Sequence, residues 1–184
     1  MSELNRPLTR RAGVALLLAL VVTGCSVKTP AIDEDGTIAG QRQRVVQLEH
    51  LFLSLDSRVD AGEARGLAAE SMAYAYRLSE RYRLVWPPLW HNTLVNLGLK
   101  ERGLCHQWAD DMLAHVKAQG YRTFDLYLGV SGRGTFWEHN TLVVSAKGGS
   151  FEQGVVLDAW RNSGDLYFAK VGEDEKYNWS ERHD

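Results

Sequence analysis

Cysteine and proline are scarce in this chain, with two Cys and four Pro in 184 residues. Two thiols are too few for a disulfide scaffold or a four-thiolate zinc site. An excess of charge of one sign is also lacking. The 21 Lys+Arg nearly balance 23 Asp+Glu, for a net charge of −2, so no basic surface advertises nucleic acid and no such partner is expected. The apolar run at residues 12–23 is shorter than the roughly 20 residues that a helix needs to cross hydrocarbon. There is no internal repeat and no HExxH. Gly132-Arg133-Gly134 lacks the strand-to-helix setting of a phosphate-binding loop. His106 and His115 are about 180° out of phase on a helix and cannot jointly chelate a metal, so neither metal nor cofactor is expected. What remains is ordinary globular material, 45% hydrophobic and 24% charged, enough for one domain. Six Trp and seven Tyr suggest a well-filled core or an aromatic-lined cleft.

The first segment reads as an address. Arg6, Arg10 and Arg11 precede the short apolar run, and small residues follow it, which is the layout of a secretory signal. Val22-Thr23-Gly24-Cys25 resembles a bacterial lipobox, in which Cys25 becomes the lipidated first residue of the mature chain. Residues 1–24 are therefore expected to be a lipoprotein signal peptide and 25–40 a lipidated cysteine with a flexible tether. Ser26, in place of Asp after the cysteine, favours the periplasmic face of the outer membrane of a bacterial envelope. With Cys25 lipidated, Cys105 is left as an exported thiol without a partner, either protected by burial or kept for its reactivity.

From Gln41 the pattern is helical, with Val45, Leu48, Phe52 and Leu55 on one stripe. Further helices are expected over 64–84, 89–100 after the Pro87-Pro88 break, and 105–119 up to Gly120. The period then changes from 3.6 to 2. Strands are expected over 123–130, 140–146, 154–160 and 165–171, separated by glycine-bearing links that favour antiparallel pairing. The sum is an α+β domain over 41–184, with N-terminal helices packed on a C-terminal antiparallel sheet. The charged tail either frays or docks through Tyr177 and Trp179.

Cys105 lies just after a glycine where the chain enters a helix. There the unpaired N–H groups and the positive end of the dipole favour a thiolate, the nucleophilic form. His139 opens one expected strand and Asp158 lies in the next. If the Cys-bearing helix packs on the face they share, all three converge on one thiol–imidazole–carboxylate centre. The bland readings are a buried Cys105, a hydrogen-bonded strand histidine at His139, and a structural pair between Asp158 and an Arg.

At these residues the chain resembles the transglutaminase-like cysteine peptidase superfamily. Gly103-Leu104-Cys105-His106-Gln107-Trp108-Ala109 is similar to its nucleophile motif, and Glu138-His139-Asn140-Thr141-Leu142-Val143-Val144 to its His-led strand. Val156-Leu157-Asp158-Ala159-Trp160 resembles its Asp strand, in the same order. The resemblance implies a papain-like fold, with Cys105 as nucleophile, His139 as general base and then acid, and Asp158 as the orienter. Relatives that depend on calcium carry acidic residues beside the nucleophile, whereas Leu104 and His106 stand here. The family's upstream oxyanion donor is not marked in this sequence. Trp90, Asn92 and Asn96 carry suitable groups, and His106 either tunes the thiol or points to solvent.

The expectation is an envelope lipoprotein with a Cys-His-Asp thiol hydrolase or acyl transferase acting on a peptide, protein or other amide. The alternative is a catalytically inactive binding module of the same fold, docking an envelope protein or glycan.

Overall fold

The computed structural model describes residues 40–183; the expected signal peptide and Cys25 lie outside them. Four helices come first: α1 Gln41–Leu53, α2 Ala61–Arg81, α3 Pro88–Asn96 and α4 Cys105–Ala118. Five strands follow: β1 Phe124–Ser131, β2 His139–Ala146, β3 Val155–Asp158, β4 Tyr167–Lys170 and β5 Ser180–Glu181. Every pairing is antiparallel, in the order β4-β3-β2-β1-β5. The molecule is thus the expected α+β arrangement of helices followed by a sheet. Among the described residues no helix is long and apolar enough to cross a membrane.

Local rules explain most boundaries. Asp60 caps α2 by accepting from the Glu63 N–H at 2.9 Å. The Glu63 carboxylate then accepts from the N–H groups of Arg122 and Thr123, tying the start of α2 to the start of β1. Pro88 occupies the first turn of α3, where its missing N–H costs nothing. That helix stops at Asn96, four residues earlier than expected, and α2 begins three residues earlier.

The sheet separates two apolar layers, because strand side chains alternate. Leu142, Val144, Val155 and Leu157 face the helices and join Trp108, Met112, Val116, Leu67 and Phe52 in the main core. Val143 and Val156 face the other way and pack with Phe151 and Trp179. The tail makes that second layer possible. It does not fray: β5 pairs with β1 at Gly129 and Val130, and Trp179 is buried.

This division decides a point that the spacing leaves open, whether the Cys-bearing helix packs on the face that carries His139 and Asp158. The register pairs Leu142 with Leu157, so His139, Thr141, Val143, Val156 and Asp158 share the face opposite α4. Helix α4 packs on the inner face instead, since Trp108, Met112 and Val116 find their apolar partners there.

Candidate active site

The site straddles the end of the sheet. The nucleophile candidate arrives from the inner face, and the imidazole and carboxylate sit on the outer one. Cys105 is the first residue of α4, after an extended Leu104 whose side chain offers no cap. The first-turn N–H groups of α4 therefore remain for an anion. Gln107 turns back and accepts from the Gly103 and Leu104 N–H groups at 2.7 and 3.1 Å, fixing the entry to the helix.

Gly103 is required twice over. Its φ is +128°, and a β-carbon there would lie 2.2 Å from Nε2 of His91. The fully buried His91 bridges two segments: Nδ1 accepts from the Val85 N–H at 3.2 Å, and Nε2 lies 2.8 Å from the Arg102 carbonyl. Burial lowers its pKa, so the ring is neutral, donating at Nε2 and accepting at Nδ1. His91 is thus a structural histidine that holds α3 against the approach to Cys105. Replacement of Gly103 by alanine is expected to cost about 1–3 kcal/mol through backbone strain and the collision with His91. It should also displace Cys105. Thermal unfolding and the rate of Cys105 alkylation measure the two effects.

The Cys105 sulfur sits 3.6 Å from the Glu138 carbonyl and 3.9 Å from Nδ2 of Asn140, the residues on either side of His139. Only 8% of Cys105 is exposed. His139 is buried, and its Nε2 lies 2.7 Å from Oδ2 of Asp158. Its buried Nδ1 has no hydrogen-bond partner among the described residues. Burial disfavours the imidazolium, but the charge and hydrogen bond of Asp158, aided by Cys105, outweigh it and raise the His139 pKa to about 9.

Asp158 is fully buried and serves two cations. Oδ1 accepts from the N–H groups of Trp160 and Arg161, at 3.1 and 3.0 Å, and Oδ2 accepts from His139 and from Arg161 Nε at 2.9 Å. Burial alone would raise its pKa; the positive charges of His139 and Arg161 and these hydrogen bonds more than reverse that and hold it low. The functional role and the structural Arg pair were rival readings, and both partners are present. Arg161 continues to Asp174, which also accepts from the Trp179 indole at 2.8 Å. The result is a buried His139–Asp158–Arg161–Asp174 array that locks the tail onto the site.

Aromatic rings enclose the imidazole. Trp160, Tyr177 and Trp179 have centroids 4.7, 4.6 and 5.3 Å from that of His139, and Arg161 lies over the Tyr177 ring. The six tryptophans divide by role. Trp108 is core and donates to the Gly103 carbonyl at 3.0 Å, and Trp160 and Trp179 wall the histidine. Trp86, Trp90 and Trp137 are exposed, and Trp137 lies against Phe136, which is 87% exposed.

Of the oxyanion candidates, Trp90 is exposed, and Asn92 spends its carbonyl oxygen on the Trp160 indole at 3.1 Å. Asn96 ends α3, and His106 is exposed, taking the solvent-facing reading. Among the described residues no group of three or more His, Cys, Asp or Glu side chains is arranged to hold a metal ion. Sequence reasoning missed Arg161, Asp174 and Asn140. Arg161 carried a usable signal, three residues after an aspartate expected to need a donor; the others carried none. Comparisons with protein-family models, curated proteins and solved structures yield no match, so the case rests on this geometry.

Proposed function

We propose that the chain is a thiol-dependent hydrolase or acyl transferase acting on an amide or peptide bond, built on a papain- or transglutaminase-like core. The observation that carries this reading is the His139 ring. It is anchored through Nε2 to a buried carboxylate, its Nδ1 is uncommitted, and the sulfur of a helix-N-terminal cysteine contacts the residues on both sides of it. In the proposed cycle the proton of the Cys105 thiol already resides on His139 Nδ1, in a thiolate–imidazolium pair, and the sulfur attacks the substrate carbonyl to form an S–C bond. The first-turn N–H groups of α4 stabilise the oxyanion. When the C–N bond breaks, Nδ1–H protonates the leaving amine and a thioester remains. Water or a second amine, deprotonated by Nδ1, then attacks the thioester, the C–S bond breaks, and the thiolate–imidazolium pair is regenerated. Asp158 holds the ring's tautomer and stabilises the imidazolium.

The lipobox-like start supports the envelope as the place of action, with Cys25 as the membrane anchor and an envelope peptide or protein as the substrate. One observation favours the second reading, an inactive docking module: Cys105 is only 8% exposed and the Glu138 carbonyl stands against its sulfur.

The test is alkylation of the full chain by iodoacetamide across pH, followed by mass spectrometry at the Cys105 peptide. The active reading expects Cys105 to alkylate at pH 6 about tenfold or more faster than in His139→Ala. Identical profiles for the two proteins would overturn the thiol–imidazole pair. A reactive Cys105 whose Cys105→Ala variant keeps full function in cells would favour the docking module.

A further inference from the structure

Asn140 is a buried carboxamide, 3% exposed, on the β2 position that faces α4. Buried amides are held by partners, and here the partners fix which way the group points. Oδ1 accepts from Arg182 Nη1 at 3.2 Å, while Nδ2 donates to Glu138 Oε1 at 3.3 Å. A guanidinium only donates and a carboxylate only accepts, so oxygen must face Arg182 and nitrogen must face Glu138. That orientation leaves the NH2 group directed at the Cys105 sulfur, 3.9 Å away. Arg182 is itself held at both ends. Its backbone N–H donates to the Leu128 carbonyl at 2.7 Å, and its Nη2 lies 2.7 Å from Asp110 Oδ1 on α4. A residue that only tied the tail to the sheet would need the Arg182 contact alone. With Oδ1 on Arg182 and one N–H on Glu138, the third contact places the second N–H of the amide on the sulfur.

We infer that Asn140 is a fourth member of the site, the side-chain donor that stabilises the Cys105 thiolate, with Arg182 as its positioning residue. The inference rests on the reading of Cys105 as the nucleophile. A neutral N–H becomes a charge-assisted donor when the sulfur ionises, so the contact strengthens in the reactive form of the enzyme and is weak in the thiol. It also makes the site conditional on the last strand. The return of the chain through β5 brings Arg182 to the oxygen side of the amide, and Glu138 holds the nitrogen side.

The experiment compares the pH profile of Cys105 alkylation in the full chain with those of Asn140→Ala, Asn140→Asp, Arg182→Ala, Arg182→Lys and His139→Ala, each checked for folding by circular dichroism. Loss of a hydrogen bond to a charged group is expected to move the alkylation midpoint up by about one to two pH units in Asn140→Ala, slowing the reaction below the midpoint by roughly ten- to a hundredfold. Asn140→Asp keeps the shape and the acceptor for Arg182 but removes the donor. It should shift the midpoint at least as far, and it carries the test if the alanine variant fails to fold. Arg182→Ala should shift the midpoint by less, and Arg182→Lys should recover part of that shift. Folded Asn140 variants with the wild-type profile would overturn the inference. If His139→Ala then still shifts the profile, the proposed function survives; if His139→Ala is also silent, both fall together.

Discussion

Replacement of Asp158 by alanine is expected to lower the unfolding free energy by about 3–5 kcal/mol, the usual cost of deleting one partner from a buried ionic array. Asp158 accepts four hydrogen bonds from inside the protein, from a buried imidazole, a buried Trp160 and an Arg161 side chain that is 7% exposed. The alanine variant would leave His139 Nε2 without a partner. It would also leave Arg161, which lies across the array, with Asp174 as its one remaining carboxylate. Asp158→Asn separates the two jobs of this residue. It preserves volume and can still accept from the Trp160 and Arg161 N–H groups through its oxygen, so the fold should suffer less. The carboxamide nitrogen then faces Nε2 as a donor and cannot accept a proton from it. The imidazolium loses its counter-charge and the ring is driven to the other tautomer. Amide cleavage is expected to fall by about 10³–10⁴-fold, by analogy with triads in which the orienting Asp becomes Asn. Denaturant unfolding and turnover of a generic peptide substrate measure the two effects. An Asp158→Asn enzyme with near-normal turnover would show that the carboxylate only braces Arg161.

Stability should fall steeply in mild alkali. His139 titrates near pH 9 in the folded protein, against about 6.5 unfolded. A raised pKa means that the folded state holds its proton more tightly. The stabilising contribution is therefore fully present below about pH 6.5 and is lost as pH climbs through 9. A gap of this size corresponds to about 3 kcal/mol. Urea unfolding between pH 6 and 10 should reveal the loss in the wild type and not in His139→Gln, which has no proton to give up. In the proposed cycle the same titration removes the acid that would protonate the leaving amine, so turnover should decline over the same range. A wild-type stability curve as flat as that of His139→Gln would mean that the imidazolium does not exist in the folded state. At the other end of the scale, the lowered pKa of Asp158 adds stability that is present above its ordinary carboxylate range and lost on acidification.

Much of this arrangement was legible along the chain. The change of period from 3.6 to 2 after Gly120 gave four helices and four strands close to their observed limits, because each element is amphipathic enough to show its buried face. The requirement that an aspartate in an apolar strand have a donor pointed to His139 and left room for an arginine, and both are found. The tail was harder to read. Strand β5 is two residues long and has no periodicity to detect, yet it brings Arg182 to Asn140 and closes Trp179 over His139.

Residue type and spacing alone determined the α+β order, the glycine two residues before Cys105, and strands on which His139 and Asp158 could share a face, which the β2–β3 register then realised. Alternation fixes such relations within an element and between paired neighbours. Tertiary structure alone decided that α4 covers the opposite face, that the sulfur approaches around the end of β2, and that the C-terminal segment returns to enclose the imidazole. Each of these depends on which apolar surfaces find one another across long loops. Burial drives that choice, and because it is non-directional, no local pattern in the chain records it.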